Sequence, residues 1–405
     1  MTTTTTTPSA HPFRLMHTDS GDYDTRAALM NDNLTRKFKA TITRGQIEAQ
    51  KIIEQIDASV PQDEVTAAKG LEFIPTSNGV EVSIKGNAPQ SIHDHALRQF
   101  CQRGSMNLKF ARSLTDLAAQ ADASEAEGSS GDWARELIAH NLNQLYSQGP
   151  GSQSRYLVRS IAAESGLQVR GFLSDKYRRL DSGPLLHAFF NAAVRDMGAV
   201  PTRAYALETK YALRVVLPQV YSPIPNQPMM YGLEWSNSDY GHGAHSVRAF
   251  IHQPFCTNEC TRDDIMRQTH IGKRLSDEIS YSRETYQLDQ RASASALKDT
   301  IRQLLLPSSV QDTMDTISKA YEEKIDPKKI PQMLKALRKG EAEKVTEAFT
   351  SADIENMSPG QNRWRLSNAI SFVATQTDDK YRALELERMS GKIAGIATRA
   401  TSIEA

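Results

Sequence analysis

The chain has 405 residues, 39% of them hydrophobic and 24% charged, a composition of ordinary folded proteins with room for two or three domains. Its 48 acidic and 48 basic residues leave no overall field to draw in nucleic acid or a membrane, so any electrostatic partner must be read by a local patch. Three cysteines exclude a disulfide scaffold, no apolar run approaches the roughly 20 residues of a membrane span, and no basic-then-apolar leader is present, so the expectation is a cytoplasmic protein with reduced thiols and no membrane partner.

Residues 1–24, with Thr2 to Thr7 followed by Pro8 and Ser9, carry too little apolar area to offset ordering and predict a disordered tail. From Thr25 to Ala58, Leu29, Leu34, Phe38, Ile42, Ile47, Ile52, Ile53 and Ile56 recur at helical spacing, giving one long helix or two short ones broken at Gly45. Two alternating runs flank Ser77-Asn78-Gly79 between Leu71 and Gly86 and predict a β-hairpin. Helices follow over Ile92 to Phe110 and beyond, broken at Gly104. Asp116 to Asp132 holds five acids, no base and Gly128-Ser129-Ser130-Gly131, and reads as a solvated linker. Trp133 to Tyr146 is an amphipathic helix ended by Gly149-Pro150-Gly151.

Tyr156 to Ile161 and Leu167 to Leu173 read as strands, Pro184 to Met197 as a helix, and Arg203 to Leu217, Met229 to Trp235 and Ser246 to Phe255 as further strands. From Asp277 onward the pattern is helical, with breaks at Pro307, Pro327, Pro331, Gly340 and Pro359-Gly360, and a last helix, Trp364 to Thr398, that splits near Asp378-Asp379. The expected fold class is therefore α+β: a central, mostly antiparallel sheet with helices, followed by an all-helical C-terminal region. The expected divisions are a tail (1–24), an N-terminal helix and hairpin region (25–115), the acidic linker (116–132), a central α+β domain (133–275) and the helical region (276–405).

Motifs for common cofactors are missing: there is no P-loop, no H-E-x-x-H and no G-x-S-x-G, and Ser246 stands where the dinucleotide fingerprint of Gly241-His242-Gly243 needs its last glycine. No cofactor is expected, with zinc or magnesium as the alternatives. His242, His245, His252, Cys256 and Cys260 are the ligand types zinc prefers, yet a lone Cys-x₃-Cys lacks the second spaced pair, and packed thiols with surface histidines account for it as well. Glu208-Thr209-Lys210, placed on a strand, matches the E-x-K part of a metal-dependent nuclease, with Asp181 or Asp196 as the second carboxylate; a solvated strand face accounts for it equally.

From Arg155 to Arg274 fifteen bases face ten acids, a local excess in a neutral chain. Tyr177, Arg178 and Arg179 share a loop, and Tyr205, Lys210, Tyr211 and Arg214 share an expected strand, a mixture of cations and aromatic planes suited to single-stranded nucleic acid. Lys328 to Lys344 is also basic, but Glu341 and Glu343 dilute it to what reads as a solvated face.

The strings VRGFLSDKYRRLD, SNSDYGHGAHSVRAFIHQPFCTN, QTHIGKR and RWRLSNAISFVA together resemble the phage- and plasmid-associated family called domain of unknown function 932, over Arg155 to Val373. In this resemblance Ser174, Tyr177, Arg178, Asn237, Ser238, Cys256, Asn258, His270, Asn368 and Ala369 fall on recurring positions, and Glu259 stands where glycine is usual. The family carries no established activity; the resemblance implies a mobile-element setting near recombination and replication functions. The leading expectation is a non-enzymatic factor, promoting annealing as an oligomer, that binds single-stranded DNA through Tyr177, Arg178, Arg179, Lys210, Tyr211 and Arg214. The alternatives are the metal-dependent nuclease and a protein-interaction factor using its C-terminal helices.

Overall fold

The structure, a computed structural model, describes residues 14–15, 32–124, 130–164, 166–225, 227–253, 259–268, 270, 281–351 and 360–396. A two-residue strand β1 (Arg14–Leu15) and helix α1 (Asp32–Ala58) come first; the rest of the threonine-rich tail lies outside the described residues. Strands β2 (Gln62–Ala67), β3 (Leu71–Thr76), β4 (Gly79–Ile84) and β5 (Gln90–Ile92) follow, then helices α2 (Asp94–Gly104), α3 (Leu108–Asp122) and α4 (Asp132–Gln148). The expected hairpin is β3–β4, with Thr76 opposite Gly79. Strands β6 (Arg155–Ala163) and β7 (Gly166–Ser174) precede α5 (Ser182–Phe190), which runs on into a π-helical turn ending at Asp196.

Strands β8 (Val200–Ala206), β9 (Tyr211–Ile224), β10 (Gln227–Asn237), β11 (His245–His252) and β12 (Glu259–Gln268) form an antiparallel meander, which β1 joins in parallel beside β9. The helical region is α6 (Arg283–Leu304), α7 (Pro307–Glu322), a short α8 (Ile330–Met333), α9 (Lys339–Thr350), α10 (Arg363–Thr375) and α11 (Lys380–Ala394). The fold is α+β with an all-helical C-terminal region, and the last helical pattern splits where the two aspartates stand, with Asp379 capping α11. No helix among the described residues is long and apolar enough to cross a membrane.

The strands make two sheets. The first, in the order β2-β6-β7-β5-β4-β3, is mixed because β5 runs parallel to β7. Strands β6 and β7 therefore join the N-terminal hairpin rather than β8 to β12, and the acidic stretch does not separate two layers. Of its acids, Asp122 and Asp132 both pair with buried Arg135 on α4 and Asp116 lies within α3, while Glu125 and Glu127 lie outside the described residues. Helices α2 to α4 cover this sheet, burying Phe73, Phe100, Leu142, Tyr146 and Phe172 together.

The meander buries one face, with Leu213, Tyr231, Leu233, Trp235 and Ile251, against α1, α5, α6 and α7. Its other face holds Val216, Met230 and Phe250 under Phe38 of α1. Gly45, the expected break, lies inside an unbroken α1; a Cβ there would meet Thr202 backbone at 2.4 Å, so glycine is what lets α1 lie flat on β8. A separate small core of Ile330, Leu334, Phe349, Leu366, Ile370 and Leu386 holds α8 to α11 together.

Candidate functional site

The two sheets meet at the loop between β10 and β11. Tyr240 there is buried, and its carbonyl accepts from Gln99 Nε2 on α2 at 2.8 Å, while the Asp239 carbonyl accepts from Arg159 Nη1 on β6 at 2.8 Å. Arg159 is fully buried and also reaches Asp63 Oδ1 (2.7 Å) and Asp181 Oδ1 (2.5 Å). Burial opposes its charge, but Asp181 and Asp63 outweigh that and hold the guanidinium protonated. The Asp239 carboxylate takes hydrogen bonds from the Ser182 amide and hydroxyl, both at 2.8 Å. Burial pushes its carboxyl up to about 7 against the opposing pull of Arg159.

Over this network opens a cleft of about 910 Å³. Its walls come from Gln99, Gln102 and Arg103 of α2, from residues 150–156, from Leu173 to Tyr177, from the glycine loop at Gly241 to Ala244, and from Arg267 and His270. Arg103, Arg155, Lys176 and Arg267 give it four cations against one acid, Asp175. Lys176 and Arg267 are exposed, whereas Arg103 is anchored by its Nε bond to the Phe172 carbonyl at 3.0 Å. Gly241 adopts φ 78°, and a Cβ there would strike Leu173 at 2.5 Å, so the loop's close seat on β7 requires glycine.

Tyr177 forms part of the cleft floor. Its hydroxyl donates to the Ser238 carbonyl at 3.1 Å, its ring stacks on His270 with centroids 4.9 Å apart, and Arg159 lies over the ring at 5.9 Å. Burial raises its hydroxyl above the usual range. His270 faces two acceptors, the Arg178 carbonyl at Nδ1 (3.0 Å) and Asn237 Oδ1 at Nε2 (3.1 Å), and burial nevertheless lowers it to about 4. Ser174, Tyr177, Arg178, Asn237, Ser238 and His270, six of the positions that carried the family resemblance, thus meet at one node. Asn368 lies apart, hydrogen-bonded to Gln253, with Ala369 in the helical core; Cys256 and Asn258 lie outside the described residues.

The contact set expected from the sequence does not line one groove. Arg178 makes a two-pronged ion pair with Asp289 (2.7 and 2.6 Å), and Arg179 pairs with Asp63 and lies 4.0 Å over the Tyr286 ring. Tyr211 is buried in the core near Ser59. Arg214 is completely buried, held by Glu234 at 2.6 Å and by Glu387 of α11; this corrects its assignment as a surface contact. The reason is register: Glu234 stands between Arg214 on β9 and Arg248 on β11, so alternating charges form a row across the sheet that α11 covers. Although burial favours protonation, Arg214 and Arg248 hold Glu234 at about 2.

The E-x-K stretch is not on a strand. Residues 207–210 are the turn of the β8–β9 hairpin, missed because Arg203 to Leu217 reads as one alternating run. Glu208 is exposed, Lys210 half-buried, Asp196 exposed beyond α5, and Asp181 is committed to Arg159. The histidines also diverge. His242 meets Thr209 Oγ1 at 2.6 Å and stacks on His95, while His245 and His252, seven apart on β11, take opposite faces, beside Trp235 and Phe38 respectively. Cys260 stands opposite Ile251 in the ladder; Cys256 lies outside the described residues. Among the described residues no three or more His, Cys, Asp or Glu side chains are grouped to hold a metal ion.

Sequence reasoning missed Arg103, Arg155, Lys176 and Arg267. They are far apart along the chain, and only the meeting of the two sheets brings them together; the one local signal was Lys176 beside Tyr177. Comparison with protein-family models, with curated proteins and with solved structures finds no match to the chain.

Proposed function

We propose that the chain binds single-stranded nucleic acid in the cleft between its two sheets and is a non-enzymatic factor of a phage or plasmid. The observation that carries this reading is the concentration of four cations against one acid around about 910 Å³ in a chain with no net charge. A cleft of this size is at the upper end for small ligands and admits a short run of nucleotides rather than a duplex. The resemblance to domain of unknown function 932 supplies the mobile-element setting.

The mode differs from the one expected of an aromatic platform. The Tyr177 ring is already stacked on His270 with Arg159 5.9 Å from its centroid, so phosphate neutralisation by Lys176 and Arg267, with Arg103 and Arg155 on the walls, rather than base stacking on Tyr177, carries the affinity. Exposed amides of Gln102 and Gln153 are left to meet base edges. Binding should therefore be steeply salt-dependent and weakly base-selective. Fluorescence anisotropy with a labelled single-stranded oligonucleotide at low salt tests it. Lys176→Glu with Arg267→Glu should weaken binding at least tenfold, and unchanged affinity in that variant would remove the reading.

A further inference from the structure

The geometry points to a second nucleic-acid contact surface on the C-terminal helical region, formed by Lys328, Lys329, Lys335, Arg338 and Lys339. It rests on the cleft reading for the identity of the ligand, a single-stranded polyanion.

Between Lys328 and Lys339 the chain carries five bases and no acid, although the whole chain is balanced at 48 against 48. The segment is pinned from beneath: Ile330 and Leu334 are buried in the small helical core, and Asp326 accepts from the Lys328 amide at 3.0 Å to start the turn. All five cations are left exposed. Lys328, Lys329, Lys335 and Lys339 make no ion pair with any described residue, and Arg338 has only a 4.0 Å approach to Glu341.

In the sequence, Glu341 seemed to dilute this charge. The fold spends it elsewhere: its two oxygens take Arg382 Nε and Nη2 of α11 at 2.8 and 2.6 Å, and Arg382 in turn holds Glu385. Glu343 remains exposed beside exposed Lys344, so the surface keeps its positive sign. A fold that only needed a solvated face would gain by pairing such lysines across helical turns, and here they stay unpaired.

The partner chemistry follows from what else the surface lacks. Leu337 and Met333 are half-buried, and the exposed neighbours, Pro331 and Ala336, are small, so no large apolar side chain is offered for insertion into lipid. A phosphodiester backbone needs only the cations. Helices α10 and α11, whose small core also holds Ile330 and Leu334, pack along β12, the strand that delivers Arg267 to the cleft.

The test compares a short oligonucleotide of roughly five nucleotides, within the range one small binding fold covers, with one of roughly thirty. Quadruple replacement Lys328→Gln, Lys329→Gln, Lys335→Gln and Lys339→Gln should leave the short strand's affinity unchanged, weaken the long strand at least tenfold, and lower its salt slope by roughly three, as loss of four phosphate contacts requires. Circular dichroism keeps a folding defect distinguishable, since all four side chains are exposed. Equal affinity of parent and variant for the long strand overturns the second surface, as does binding of the parent to anionic phosphatidylserine vesicles but to neither oligonucleotide. If Lys176→Glu with Arg267→Glu leaves binding intact while the quadruple variant loses it, the cleft reading fails and the second surface stands.

Discussion

Two groups of cations divide this molecule. Arg159 and Arg214 are sealed inside, each between carboxylates, while Arg267, with Lys176, stands at the rim of an open cleft. The charge is the same, and the difference lies in register and burial. A cation placed opposite a carboxylate on the neighbouring strand and roofed by a helix is consumed by the fold; one at a seam between sheets keeps its field for a ligand. The sealed group should govern stability and the rim group should govern binding, with little exchange between the two.

The largest effect expected is at the sealed row. Arg214→Ala leaves Glu234 and Glu387 buried without their shared partner and should cost about 3–5 kcal/mol in urea unfolding. A loss below about 1 kcal/mol would erase the division, since that is the range of an exposed pair.

Acid should act on the interior in the same direction. His245, His252 and His270 are all lowered to about 4 by burial, from an ordinary value of 6.5. Each is neutral in the fold and charged when unfolded, so its contribution is present above 6.5 and is lost as pH falls from 6.5 toward 4, at roughly 1.4 kcal/mol per pH unit. Asp239, raised to about 7, opposes them, because its stabilising protonated form gains as pH falls through that window. Three groups against one leave a net loss. Thermal unfolding followed from pH 7 to 5 should show a falling midpoint, and a flat or rising profile would contradict it.

A smaller effect belongs to the crossing of α1 over β8. Gly45→Ala drives a methyl into Thr202 backbone and should cost about 1–3 kcal/mol by overpacking, read as a shift in the urea midpoint at unchanged slope. Smallest of all, Lys176→Ala and Arg267→Ala should each change stability by less than about 0.5 kcal/mol, since both side chains are exposed.

Much of the fold was open to sequence reasoning, because local rules decide it. Asn78-Gly79 set the hairpin, alternation marked β6, β7, β10 and β11, and prolines and aspartates punctuated the C-terminal helices. What was hidden depends on distant partners. Nothing local says that β6 and β7 pair with β2 and β5, or that a four-residue turn at 207–210 interrupts one alternating run. Gly45 reads as a break until Thr202 is beneath it. The site was hidden for the same reason. Tyr211 and Arg214 alternate as a solvated strand face would, and only α11, arriving from more than 150 residues away, turns Arg214 into core. Tyr177 was found because Tyr177, Arg178 and Arg179 cluster in one loop; Arg103, Arg155 and Arg267 give no such cluster.

The central claim is that nucleic acid lies in the cleft between the sheets, and photocrosslinking addresses it most directly. A single-stranded oligonucleotide carrying 5-bromodeoxyuridine, irradiated with the full chain and mapped by mass spectrometry, should attach within the peptides holding Gln102, Gln153, Lys176 or Arg267. Crosslinks that avoid all four of these peptides, or none at any salt concentration, would contradict the account.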